Sequence, residues 1–113
     1  MAVSYFVRYE GRAEDHEAFV GYYRSTHAAI LRRFPGIRKL ILHVPQEWSD
    51  PCPVRKGNFA LLAQMVFDSA ADLQTALESR ERREARGDFS NFPAFHGEIF
   101  HQAMASEEVY SGD

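Results

Sequence analysis

Residues 22–44 read YYRSTHAAILRRFPGIRKLILHV, and within them the apolar spacing changes character. Tyr23, Ile30, Leu31 and Phe34 recur three, four or seven positions apart, which is the stripe of a helix with one face against a core. Pro35-Gly36 stops that helix, because proline cannot continue the hydrogen-bond ladder and glycine suits the turn after it. From Ile37 the period drops to two, with Leu40, Leu42 and Val44 on one face and Lys39, Ile41 and His43 on the other. A strand over 37–44 is predicted.

Working outward, the helix is expected to run over 13–34, with Glu14, Asp15 and Glu17 in its first turn complementing the helix dipole. Before it, VSYFVRY at 3–9 alternates Val3, Tyr5, Val7 and Tyr9 against Ser4, Phe6 and Arg8, a strand that Gly11 is expected to break. After 44, a stretch to Gly57 holds three prolines, Trp48, Asp50 and Cys52 without periodicity and reads as a long loop. NFALLAQMVF at 58–67 is apolar nearly throughout, as a central strand should be. Ser69 and Asp72 then read as a capping box, and Leu73, Ala76 and Leu77 begin the stripe of a second helix predicted to continue through ESRERREAR to Gly87. A fourth strand is expected over 98–109, with Ile99, Phe100, Met104 and Val109 as its apolar content.

Strand, helix, strand, strand, helix, strand is the α+β ferredoxin-like βαββαβ order, two helices on one face of a four-stranded antiparallel sheet. The other face would carry Phe6, Ile41, Leu62 and Val66 among Ser4, Arg8, Gln64 and Gln102, too apolar a surface for water. A homodimer burying that face by two-fold symmetry is therefore expected.

Composition narrows the classes further. A chain of 113 residues with 45% hydrophobic and 26% charged side chains fits one globular domain over 1–113. Its net charge of -3, with no basic cluster, argues against nucleic acid as a partner. One cysteine cannot build a disulfide framework, and MAVSYFVRYEGR lacks the pattern of a secretory leader, so a cytoplasmic location is expected. No apolar run approaches the roughly 18 to 20 residues of a membrane span, and no membrane partner is expected. Aromatic residues, at 13%, either fill the core or line a pocket.

Three segments, YYRSTHAAILRRFPGIRK, AQMVFDSAADLQTAL and GDFSNFPAF, resemble the EthD-like family of the dimeric α+β barrel superfamily. The likeness rests on an aromatic pair, a histidine followed by a small residue, a Pro-Gly helix end and an Asp-x-x-Asn-Phe segment. It departs in the loop around Trp48 and Cys52. The resemblance implies a ferredoxin-like protomer, a dimer with facing sheets and a pocket between helices and sheet. It implies no single reaction, since relatives include cofactor-free monooxygenases, polyketide cyclases and lactone isomerases.

His27 is the candidate catalytic residue: four positions after Tyr23 and three before Ile30, it belongs to the inward stripe and is the motif histidine of the resemblance. A neutral imidazole there could move a proton on a bound phenol, enol or lactone, or could equally be a core histidine satisfied by a neighbour. Tyr22 and Tyr23 diverge by about 100° on a helix, so only one can face the pocket fully, and Tyr23 is the one expected there. Tyr5 joins it from the first strand, and Trp48, Phe92 and Phe95 are expected to close the site over a small hydrophobic ligand. His96 and His101 are five apart and fall on opposite faces of a strand, so no metal site is expected. Cys52 reads as an incidental thiol, and ESRERREAR as a solvated, ion-paired helix face. No glycine-rich phosphate loop or nucleotide fingerprint occurs, so no cofactor is expected. Two functions remain open: a cofactor-independent oxidoreductase, cyclase or isomerase acting on an aromatic or polyketide-like molecule, or a non-catalytic accessory or ligand-binding homodimer.

Overall fold

The computed structural model describes residues 1–112. Its elements are β1 (Val3–Ala13), α1 (His16–Tyr22), a π-helical turn (Tyr23–His27), α2 (Ala28–Leu31), β2 (Ile37–His43), β3 (Phe59–Phe67), α3 (Ala70–Leu77), α4 (Arg80–Asp88), a 3₁₀ turn (Phe89–Asn91) and β4 (Phe95–Ala105). The strands order as β2-β3-β1-β4, each neighbour antiparallel. This is the ferredoxin-like arrangement expected from the element order.

β1 lies inside the sheet, with Tyr5 opposite Met65 and Ala103, and Val7 opposite Ala63 and His101. Alternation then puts Val3, Tyr5, Val7 and Tyr9 on the same face as Leu61, Ala63, Met65 and Phe67. Phe19, Tyr23, Ile30, Leu31, Leu73 and Ala76 from the helices cover that face and complete one core. Tyr9 is its centre, with the rings of Phe19, Tyr23, Phe92 and Phe95 between 5.4 and 6.3 Å away.

Several element boundaries differ from the sequence expectation, each for a local reason. Gly11 does not break β1; the strand runs on to Ala13, and Gly11 faces Gly97 of β4 at φ values of 139° and 155°. A Cβ on Gly11 would collide with the carbonyl oxygen of His96 and come within 2.8 Å of the Gly97 Cα. The pair serves close approach of two backbones, a role open only to glycine. The first helical segment starts at His16, not 13, because Asp15 is its N-cap and accepts from the Ala18 amide at 3.0 Å. It ends at Leu31. The second helix is two, since Ser79 caps a new one: its hydroxyl donates to the Ala76 carbonyl at 2.6 Å and accepts from the Arg82 amide at 3.2 Å. Ser69 does cap α3, accepting from the Asp72 amide at 3.1 Å. β4 spans Phe95–Ala105 instead of 98–109, which leaves Val109 beyond the strand and 87% exposed.

On the opposite face, Phe6, Leu62 and Val66 are half-buried, and Ile41 is exposed, as are Phe59, Phe100 and Met104. The Arg8 guanidinium lies 5.0 Å from the Phe59 ring and 4.7 Å from that of Phe100. Ser4 is buried on this face rather than exposed to water. Its hydroxyl lies 2.7 Å from that of Ser106 and accepts from the Gln64 amide at 3.2 Å. Among the described residues, no helix is long and apolar enough to cross a membrane.

Candidate functional site

The π turn places the histidine. Its extra residue widens the helix at Tyr23–His27, where the Ala28 amide donates to the Tyr23 carbonyl, and such turns often occur at functional positions. His27 emerges from it almost wholly buried, its ring 4.8 Å from that of Tyr23 and 4.7 Å from that of Phe92.

Its polar partner comes from far along the chain. Asp88, the last residue of α4, is buried, and its Oδ2 lies 2.9 Å from His27 Nδ1. Tyr22 donates its hydroxyl to Asp88 Oδ1 at 2.6 Å, and Asn91 donates to the same oxygen at 3.1 Å. Burial opposes ionisation of Asp88, but the hydrogen bonds from Tyr22, Asn91 and His27 outweigh it and hold the carboxyl below its ordinary value. Burial pushes the His27 pKa down, against the pull of Asp88. At neutral pH the pair is therefore a carboxylate and a neutral imidazole. A carboxylate can only accept, so Nδ1 carries the ring proton and Nε2 keeps a lone pair. Nε2 has no hydrogen-bond partner among the described residues.

His27 lines a partly open cavity of about 20 Å³ between the first helical segment, α4 and the sheet, together with Tyr5, Tyr9, Tyr23, Met65 and Phe89. That volume holds about one water molecule. The Tyr9 hydroxyl is buried without a hydrogen-bond partner. Burial raises the pKa of both Tyr9 and Tyr23, so both phenols stay protonated. At the outer wall the Tyr5 oxygen accepts from Arg82 at 3.4 Å and lies 2.7 Å from His101 Nδ1. Burial, then the charges of Arg82 and Arg86, lower the His101 pKa, so its Nδ1 is free to accept the Tyr5 proton.

Of the residues expected at the site, His27, Tyr23 and Tyr5 line the cavity. Phe92 packs edge-on against the His27 ring, outside the lining. Phe95 packs on Tyr9 and Phe19, with centroids at 5.7 and 5.3 Å, and so supports the wall from behind. Trp48 does not close the cavity. It is half exposed beside a separate open groove, with Lys56 Nζ 4.9 Å from its ring, because the proline-rich loop lies against the end of β1 and the start of β3. Cys52 is exposed in that loop. The ESRERREAR segment is not uniformly solvated, since Arg82 and Arg86 face the cavity.

Asp88 was missed as a site residue although it heads the Asp-x-x-Asn-Phe segment. A signal was present. An acidic side chain in the last turn of a helix opposes the dipole, and such a placement calls for specific donors. Among the described residues, no three His, Cys, Asp or Glu side chains gather where they could share a metal ion. His96 instead bonds Glu14 at 2.9 Å.

A comparison with curated proteins gives no match. Solved structures do. An ethyl tert-butyl ether D (EthD) family protein from Bacillus halodurans superposes with a TM-score of 0.75 at 25% identity, covering 95% of this chain and 100% of the other. The hydroxynitrile lyase of Passiflora edulis gives 0.66 at 14% identity, covering 97% of each chain. SnoaB of Streptomyces nogalater, a cofactor-independent oxygenase, gives 0.61 at 13% identity, covering 96% of this chain and 95% of its own. The last two likenesses carry the fold alone. The EthD domain model matches residues 12–96, a span that holds the π turn, His27 and Asp88, and the chain belongs to the EthD family.

Proposed function

We propose that this chain is a cofactor-independent proton-transfer enzyme acting on a small hydrophobic molecule, aromatic or polyketide-like, with His27 as the base. One observation carries the reading: His27 Nδ1 is held by the Asp88 carboxylate, while Nε2 is left unpaired on a ring that lines an aromatic cavity. A base oriented by a third group in this way keeps one tautomer, and the carboxylate stabilises the imidazolium formed when Nε2 takes a proton from carbon or oxygen. Tyr5 and Tyr23 would contact the substrate directly, with Phe92 and Phe95 holding the wall. SnoaB, which shares the fold and is a cofactor-independent oxygenase, agrees with the reading.

The molecule would act as a homodimer. Half-buried Phe6, Leu62 and Val66 with exposed Ile41, Phe59, Phe100 and Met104 form an apolar sheet face, and a second copy across a two-fold axis would cover it.

A non-catalytic accessory or ligand-binding homodimer is the second reading, and the cavity's room for about one water favours its accessory form, with His27 a core histidine satisfied by Asp88. Exchange of the benzylic protons of phenylacetone in heavy water separates the two. Wild-type protein should accelerate the exchange, and His27→Gln should return it to the solvent rate with the fold intact. Equal rates for the two proteins, with a lowered melting temperature for the variant, would assign His27 to structure.

A further inference from the structure

Helix α4 spends its arginines unequally. Arg80 pairs with Glu81 at 3.8 Å, and Glu84 is taken by Arg33 at 2.9 Å. Arg82 and Arg86, one helical turn apart, have no carboxylate within ion-pairing distance among the described residues, and both line the cavity at its outer wall. Each guanidinium instead lies over an aromatic ring, Arg82 at 5.6 Å from Tyr5 and Arg86 at 5.0 Å from Phe89. Behind them the Tyr9 hydroxyl, 1% exposed, has no partner. Two unneutralised cations and two ring faces thus converge on one opening.

We propose that this opening is an anion subsite, and that the ligand of the cavity is a small aromatic carboxylic acid bound as its carboxylate by Arg82 and Arg86. Guanidinium forks match carboxylate geometry, and a charge-assisted pair is stronger than the cation–π contacts the arginines make without a ligand. Turning from the rings toward a carboxylate uncovers Tyr5 and Phe89, so that the ligand's own ring takes the place of the guanidinium groups. The same movement enlarges a cavity otherwise too small for an organic molecule. Tyr5, which already accepts from Arg82 and contacts His101, would fix the ring's edge.

The proposal rests on the cavity being a small-molecule site, and paired probes keep the two apart. Benzoate and its uncharged analogue benzamide are titrated into the full-length protein at low ionic strength, with the His101 and His27 ring resonances as the readout. Benzoate should bind at least about tenfold more tightly than benzamide, as expected for a charged hydrogen bond, and should weaken as salt is added. Arg82→Gln with Arg86→Gln should abolish the preference, so that benzoate and benzamide bind equally, whatever the change in benzamide affinity itself. Should that double variant not fold, each single substitution is expected to remove part of the preference. Equal binding of both probes to the wild type would overturn the anion subsite and spare the pocket. No saturable binding of either would overturn both.

Discussion

His27 and Asp88 stand 61 positions apart in the chain and 2.9 Å apart in space, one leaving a π turn and the other ending a helix. The carboxylate has three donors, from His27, Tyr22 and Asn91, so neither buried charge nor buried ring nitrogen on this side is left unsatisfied. The contact joins the first helical segment to α4 and selects the tautomer that leaves Nε2 basic.

Replacing Asp88 tests both roles. Asp88→Ala strands three donors and should cost about 1 to 3 kcal/mol, read as a fall in melting temperature of at least roughly 4 °C. Asp88→Asn keeps the shape but can present its amide N–H to Nδ1, which moves the ring proton to Nε2. Nitrogen-15 shifts of the His27 ring should show the tautomer change, and proton-transfer activity should fall with it. An unchanged tautomer in Asp88→Asn would contradict the assignment.

Acid should weaken the fold in two stages. The folded His27 pKa lies below its ordinary value of 6.5, so the unfolded chain binds more protons and stability falls as pH drops through 6.5 toward the folded value. His101, shifted the same way, adds to this stage. Asp88, held below its ordinary 3.8, contributes stability at neutral pH that is lost as pH falls through that value and on through the folded one. Urea midpoints measured between about pH 8 and pH 3 should decline below 6.5, and His27→Gln should flatten the first stage.

Light scattering at micromolar concentration should return twice the 12.9 kDa chain mass. Leu62→Arg sets a charge in the middle of the apolar sheet face and should give a monomer with its helices intact by circular dichroism. A monomeric wild type would leave Phe6, Leu62, Val66 and Ile41 without an explanation.

Gly11→Ala should be among the most damaging single methyl additions, because the new Cβ meets the His96 carbonyl and the Gly97 backbone rather than a side chain that can turn aside. A loss of at least about 2 kcal/mol is expected in denaturant melts, whereas Gly21→Ala, with open space at its Cβ, should be neutral or stabilising.

Alternation in VSYFVRY, the helical stripe of Tyr23, Ile30 and Leu31, the Pro-Gly stop and the Ser69 cap are local features, and each was legible because it records which face of one element meets the core or where that element ends. The order of four strands and the helical regions followed from them, as did the inward placement of His27, Tyr23 and Tyr5. Whatever depends on a second segment was not legible. Gly11 looks like a breaker until Gly97 is set against it, and Ser79 is an ordinary polar residue until the chain turns there. Arg82 and Arg86 belong to a charge-balanced run whose pairing partners only packing chooses. Trp48 sits in a loop whose path no periodicity describes. The partnership of His27 with Asp88 is the clearest case. Helix spacing fixes where a side chain points, but which carboxylate it meets depends on how α4 lies across the first helical segment, and only the packed core decides that.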